Sequence, residues 1–221
     1  MSDDGFVREV NEELRQDQLK AVWRRYGMVI VAGVILILAG TAGYVGWNHW
    51  NEQRANQSGD QYSAALQLAN EGRTEEALEA LGQLEADGYG AYPVLARMRA
   101  ATVRAEAGEY EAAVSAFDSV AADSSVPGSI RDMARLRAAL LLVDHGSYGD
   151  VASRAEPLAD DANALRHGAR EAMGLAAWAA EDLDNAQRLF TMIVDDPAAP
   201  TNTRQRAEMM VELIAGSIPR S

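Results

Sequence analysis

One stretch of sequence occurs four times: EGRTEEALEAL (71–81), AGEYEAAVSAF (107–117), HGSYGDVASRA (145–155) and AEDLDNAQRLF (180–190). Its second position is Gly72, Gly108, Gly146 and then Glu181, at spacings of 36, 38 and 35 residues. Two residues on stand Thr74, Tyr110, Tyr148 and Leu183, and five on stand Ala77, Ala113, Val151 and Ala186. Nine on stand Leu81, Phe117, Ala155 and Phe190, and seven residues before the landmark the side chain is always small: Ala65, Ala101, Ala139, Gly174. A period of this kind constrains the fold more than any single motif, because one unit can bury its apolar face only against its neighbours. Each position has a physical reading. The small residue lets a second helix approach the first, and the landmark Gly suits the left-handed conformation that ends a helix. The Ala at plus five keeps the paired helices tight, and the large apolar residue at plus nine fills the space between units.

The surrounding sequence is rich in Ala, Leu, Glu and Arg, and no window alternates with the period of a strand. Helix–turn–helix units at this spacing resemble the tetratricopeptide repeat, although the usual Trp and Tyr of the first helix are absent and the spacings exceed the usual period of roughly 34 residues. The expected fold is all-α: a tetratricopeptide-like α-solenoid of about four helix pairs over roughly residues 55–198, within a distal domain of residues 55–221. Pro200-Thr201 opens a last helix with Met209, Met210, Leu213 and Ile214 on its apolar side, as a capping helix over the last repeat requires.

Ahead of the repeats, Met28–Trp47 reads MVIVAGVILILAGTAGYVGW, twenty residues without a charge. As a helix it spans about 30 Å, the thickness of a bilayer's hydrocarbon core. Trp23 and Tyr26 flank one end and Tyr44, Trp47 and Trp50 the other, as interfacial aromatic belts do. Gly33, Ile37 and Gly40 share a face on which another helix could pack closely. Arg15, Lys20, Arg24 and Arg25 precede the span, and only Arg54 follows within a comparable distance. The positive-inside bias then leaves the N-terminus in the cytoplasm and carries residues 51–221 across. A cleaved leader ending at Gly40-Thr41-Ala42 is the competing reading; it would be long, and apolar or aromatic residues run on past it to Trp50. Residues 1–27 form a cytoplasmic arm in which Phe6, Val10 and Leu14 recur every four residues, extended by Val7, Val22 and Trp23 into a short amphipathic helix. Residues 48–54 are a short linker.

Composition excludes several function classes. A formal charge of −13, from 20 basic and 33 acidic residues, opposes non-specific nucleic-acid binding. The absence of Cys removes disulfides, thiolate metal sites and a cysteine nucleophile. His49, His145 and His167 are scattered, and Glu75-Glu76, Asp160-Asp161 and Asp195-Asp196 sit at helix ends or turns without the spacing of a calcium loop. Phosphate-binding loops, nucleophile elbows and metalloprotease signatures are missing. No enzyme activity and no cofactor is expected.

A solenoid offers a surface instead. Tyr62, Met98 and Leu136 occupy equivalent positions in three first helices; Leu66, Leu140 and Leu175 form a second row, and Val143 and Trp178 a third. These are the candidate residues of an apolar groove for extended polypeptide, the competing role being packing between helices. Arg97, Arg135 and Arg170 also fall at matching positions, where intramolecular ion pairs or a solvated row compete with an acidic partner.

Arm, anchor and repeats together resemble a known family. FVREVNEELRQDQLKAVWRRYG (6–27), the anchor ending GYVGWNHW (43–50) and the repeats are similar to the YfgM-like ancillary subunits of the Sec translocon, in their alphaproteobacterial form. The resemblance implies a bacterial inner-membrane protein with a single span and a periplasmic repeat domain. It further implies association with the SecYEG channel and with a membrane-anchored periplasmic prolyl isomerase-like chaperone, and a non-enzymatic role as chaperone or scaffold for exported clients. An envelope assembly or division scaffold with one dedicated protein partner is the alternative.

Overall fold

The computed structural model describes the backbone of residues 3–217, with the side chains of residue 20 and of residues 23–29 and 31–217. The described chain is helical, with no strand, and divides into two compact units, residues 1–54 and 55–221. Helix α1 (Asp3–Asn70) contributes to both, so residues 48–54 are helical.

In the first unit the apolar stretch leaves its side chains uncovered: Met28 is 89% exposed, Leu36 73% and Trp47 63%. This one helix is long and apolar enough to cross a membrane. Cβ atoms added at Gly33, Gly40, Gly43 and Gly46 would meet nothing within 4 Å. At its distal end Trp47 and Trp50 lie with ring centroids 5.7 Å apart, and the Arg54 guanidinium sits 5.0 Å from the Trp50 ring. The arm's apolar residues Phe6, Val7, Val10, Leu14 and Val22 lie outside the described side chains.

The second unit begins with the last turns of α1, paired with α2 (Thr74–Asp87). Then follow α3 (Tyr92–Glu106) with α4 (Tyr110–Ala122), α5 (Gly128–His145) with α6 (Tyr148–Ala155), and α7 (Arg166–Ala179) with α8 (Leu183–Val194). Helix α9 (Thr201–Ser217) packs on α8 and touches α7. Among the described residues, four helix pairs, a short 3-10 turn after α6 (Glu156–Leu158) and a terminal helix form this unit. The repeat positions form its core: Ala65, Ala101, Ala139, Ala77, Ala113, Val151 and Ala186 have no exposed surface, and Leu81, Phe117, Ala155 and Phe190 are at most 3% exposed. Burying each of the two Phe side chains contributes about 1.5–3 kcal/mol. Where the fourth pair has Gly174, an added Cβ would lie 2.9 Å from the Phe190 ring, so only glycine lets α7 and α8 close on that ring.

The turns between paired helices are of two kinds. Gly72 (φ 75°), Gly108 (φ 83°) and Glu181 (φ 61°) adopt the left-handed conformation. Gly146 does not, contrary to the sequence expectation: its backbone is extended, with φ −140° and ψ −170°. Helix α5 runs on to His145 and then stops against a Ser147–Asp150 capping box, so no left-handed residue is needed there. Glycine is still required, for clearance: a Cβ at residue 146 would lie 2.7 Å from Leu142 Cδ2.

Candidate protein-binding surface

The first helices carry the residues that the repeat register singles out, and their packing separates them. Tyr62 rests against the core of the first pair and faces the Tyr92 ring, centroids 6.0 Å apart. Met98 packs on the cluster formed by Phe117, Val120 and Ala134. Val143 packs on the cluster around Val151 and Leu158, and Leu175 on that around Phe190 and Ile193. Leu66 is half-buried. Only Leu140, 44% exposed, and Trp178, 42% exposed, present a large share of their apolar surface outward.

Two of the eight meet in one place. A hollow of about 500 Å³ lies between α3 and α5, with Phe117 of α4 contributing to its wall. Leu136 is buried and Leu140 exposed in its lining; Met133 and Leu141 extend the apolar side, and Thr102 and Ala105 form the α3 side. Its single charged residue is Arg137, whose Nη1 donates to Thr102 Oγ1 at 3.2 Å. The local cause is helix spacing. Helix α7 settles on α5 because Gly168 offers no side chain; a Cβ there would be 3.1 Å from Leu136 Cδ2. Between α3 and α5 the facing residues of α3 are short, and the space stays open.

Met133 and Arg137 were missed by matching repeat positions alone. They share a face of α5 with Leu136 and Leu140, at intervals of three and four residues, so helical periodicity within α5 was the signal available.

The Arg row is engaged within the molecule. Arg97 Nη1 donates to Asp123 Oδ2 at 2.6 Å, Arg135 to Asp132 Oδ1 at 2.8 Å, and Arg170, 3% exposed, to Asp161 and to the Ala159 carbonyl. A complementary acidic row accounts for much of this. Fifteen residues after each landmark stand Asp87, Asp123, Asp161 and Asp196. The Asp196 carboxylate is a hub, accepting from Arg166 Nε at 2.8 Å, from His167 Nε2 at 2.8 Å and from the Ala198 N–H at 2.9 Å, with Arg170 Nη1 at 3.9 Å. The Arg166 guanidinium first, then the Ala198 N–H and His167, hold Asp196 well below the usual carboxylate range. Ser125 and Arg97 likewise lower Asp123 to about 2.

A second hollow, of about 320 Å³, mixes apolar and charged side chains: His145 stacks on Tyr110 with centroids 3.5 Å apart, and Asp118 there is held bidentately by Arg154 at 3.0 and 2.7 Å. Those two charges satisfy each other, and nothing there forms a nucleophile with its base. His49 contacts Gln53 at 3.1 Å. Among the described residues no group of three or more His, Asp or Glu is placed to hold a metal ion. What the hollow between α3 and α5 offers is apolar contact with one flanking cation.

A family model described as a tetratricopeptide repeat-like domain matches residues 20–192, which takes in the apolar stretch and the pairs up to α8. No curated protein and no solved structure matches the chain.

Proposed function

The chain belongs to the tetratricopeptide repeat-like domain family, and from that premise we propose that it is a membrane-anchored, non-enzymatic scaffold or chaperone beside the bacterial Sec translocon. In this reading α1 crosses the inner membrane with its N-terminus in the cytoplasm, and residues 55–221 stand in the periplasm. The repeats bind SecYEG, a membrane-anchored prolyl isomerase-like chaperone or emerging exported proteins. The single observation that carries the reading is the combination of an uncovered apolar helix with a helical-repeat unit whose first helices leave an apolar hollow open. Tethering supplies the rest of the argument: a domain confined near a membrane partner has a high effective concentration there, so contacts of modest affinity suffice.

Reporter fusions test the topology on which this rests. A periplasm-active reporter fused after Ser217 is expected to be active and the same reporter fused at residue 20 inactive. The reverse pattern would contradict the proposal.

A further inference from the structure

We propose that the hollow between α3 and α5 is a docking site for a short polypeptide segment that pairs large apolar side chains with an adjacent carboxylate. The proposal rests on the protein-binding reading above and gives it a place and a ligand chemistry.

The apolar half of the argument is the lining. Met133 and Leu140 stand exposed over a buried floor of Leu136 and Phe117, and a volume of about 500 Å³ is large enough for one or two bulky side chains. Met among the lining residues adapts to differently shaped partners. The polar half is charge complementarity. Most arginines of the repeat unit with described contacts are paired with a carboxylate: Arg97 with Asp123, Arg154 with Asp118, Arg166 with Asp196, Arg206 with Glu171. Arg137 is exposed at the edge of the hollow, its described hydrogen bond goes to a neutral hydroxyl, and no described carboxylate lies within 4.0 Å of it. A guanidinium so placed leaves its other N–H donors for an incoming acid, and an apolar surround strengthens that pairing. A basic segment would meet the same apolar wall with the wrong charge.

The test uses the full chain in lipid nanodiscs and fluorescein-labelled peptides GSLFXLSG, with X = Asp, Asn or Lys, read by fluorescence anisotropy. The Asp peptide is expected to bind about tenfold more tightly than the Asn peptide and the Lys peptide most weakly. The Asp preference should shrink as salt is raised. Arg137→Glu is expected to invert the order so that the Lys peptide binds best, a gain that misfolding cannot produce. Leu140→Ser, at an exposed position, is expected to weaken all three. Equal affinities of the Asp and Asn peptides, or no binding by any of them, would overturn the site. Binding that survives both substitutions would also overturn it while leaving the protein-binding reading standing, since another face would then be the occupied one. Self-association of the chain abolished by Leu140→Ser would assign the hollow to a second copy and overturn the proposal likewise.

Discussion

Glu181 carries at the fourth turn the left-handed backbone that Gly72 and Gly108 carry at the first and second. A residue with a Cβ pays about 1–2 kcal/mol for that conformation. Glu181→Gly is therefore expected to stabilise the chain by about 0.5–1 kcal/mol, part of the relief being offset by the greater freedom of glycine when unfolded. Gly108→Ala should do the opposite, losing about 1 kcal/mol. Denaturant titrations of the three chains side by side measure both. A third substitution separates clearance from conformation: Gly174→Ala forces a methyl group into the Phe190 ring and is expected to cost about 1–3 kcal/mol although its backbone is ordinary helix. Sequence reading could place Gly146 in the repeat but not say which of these two demands it answers, because clearance and left-handed backbone select the same residue. The Leu142 side chain, one turn back on the same helix, decides it.

At the scale of elements, α6 is the weak member. Eight residues are too few to hold a helix by their own hydrogen bonds, and Ser147 closes its first turn reciprocally with Asp150. Ser147→Ala is expected to lower stability by about 1 kcal/mol, measurable by chemical denaturation. The loops after the second helices depend on carboxylates whose folded pKa lies below the unfolded value. Their contribution is complete above the unfolded carboxylate pKa, about 4, and is lost as pH falls through the folded one, about 2 for Asp123 and lower still for Asp196. The melting temperature should therefore drop steeply between about pH 4 and pH 2, and Asp123→Asn, less stable at neutral pH, should show a shallower drop. The helix pairs were legible in the sequence because close approach admits few residue types at fixed intervals. The polar ties were only half legible. The Arg row shows in the register, whereas a partner such as Asp123, 26 residues from Arg97, becomes meaningful once the loops are placed.

On the scale of the whole molecule, the proposed function assigns anchoring to the apolar helix and recognition to the repeat unit. The long apolar helix was legible, since twenty uncharged residues in a row are plain in the sequence. The candidate surface was less so, because equivalent repeat positions are not equivalent in exposure. Gly168 closes α7 onto α5 and buries Leu136, while short residues on α3 leave the other side of α5 open to Leu140. The central claim is that this open surface meets proteins in transit across the membrane. The most direct measurement is photocrosslinking in living cells from a probe placed at Leu140 or at Trp178 in the full chain, followed by mass spectrometry of the adducts. The account predicts channel subunits of the translocon together with several different exported proteins. Adducts confined to one envelope protein, with no channel subunit and no exported client among them, would contradict it.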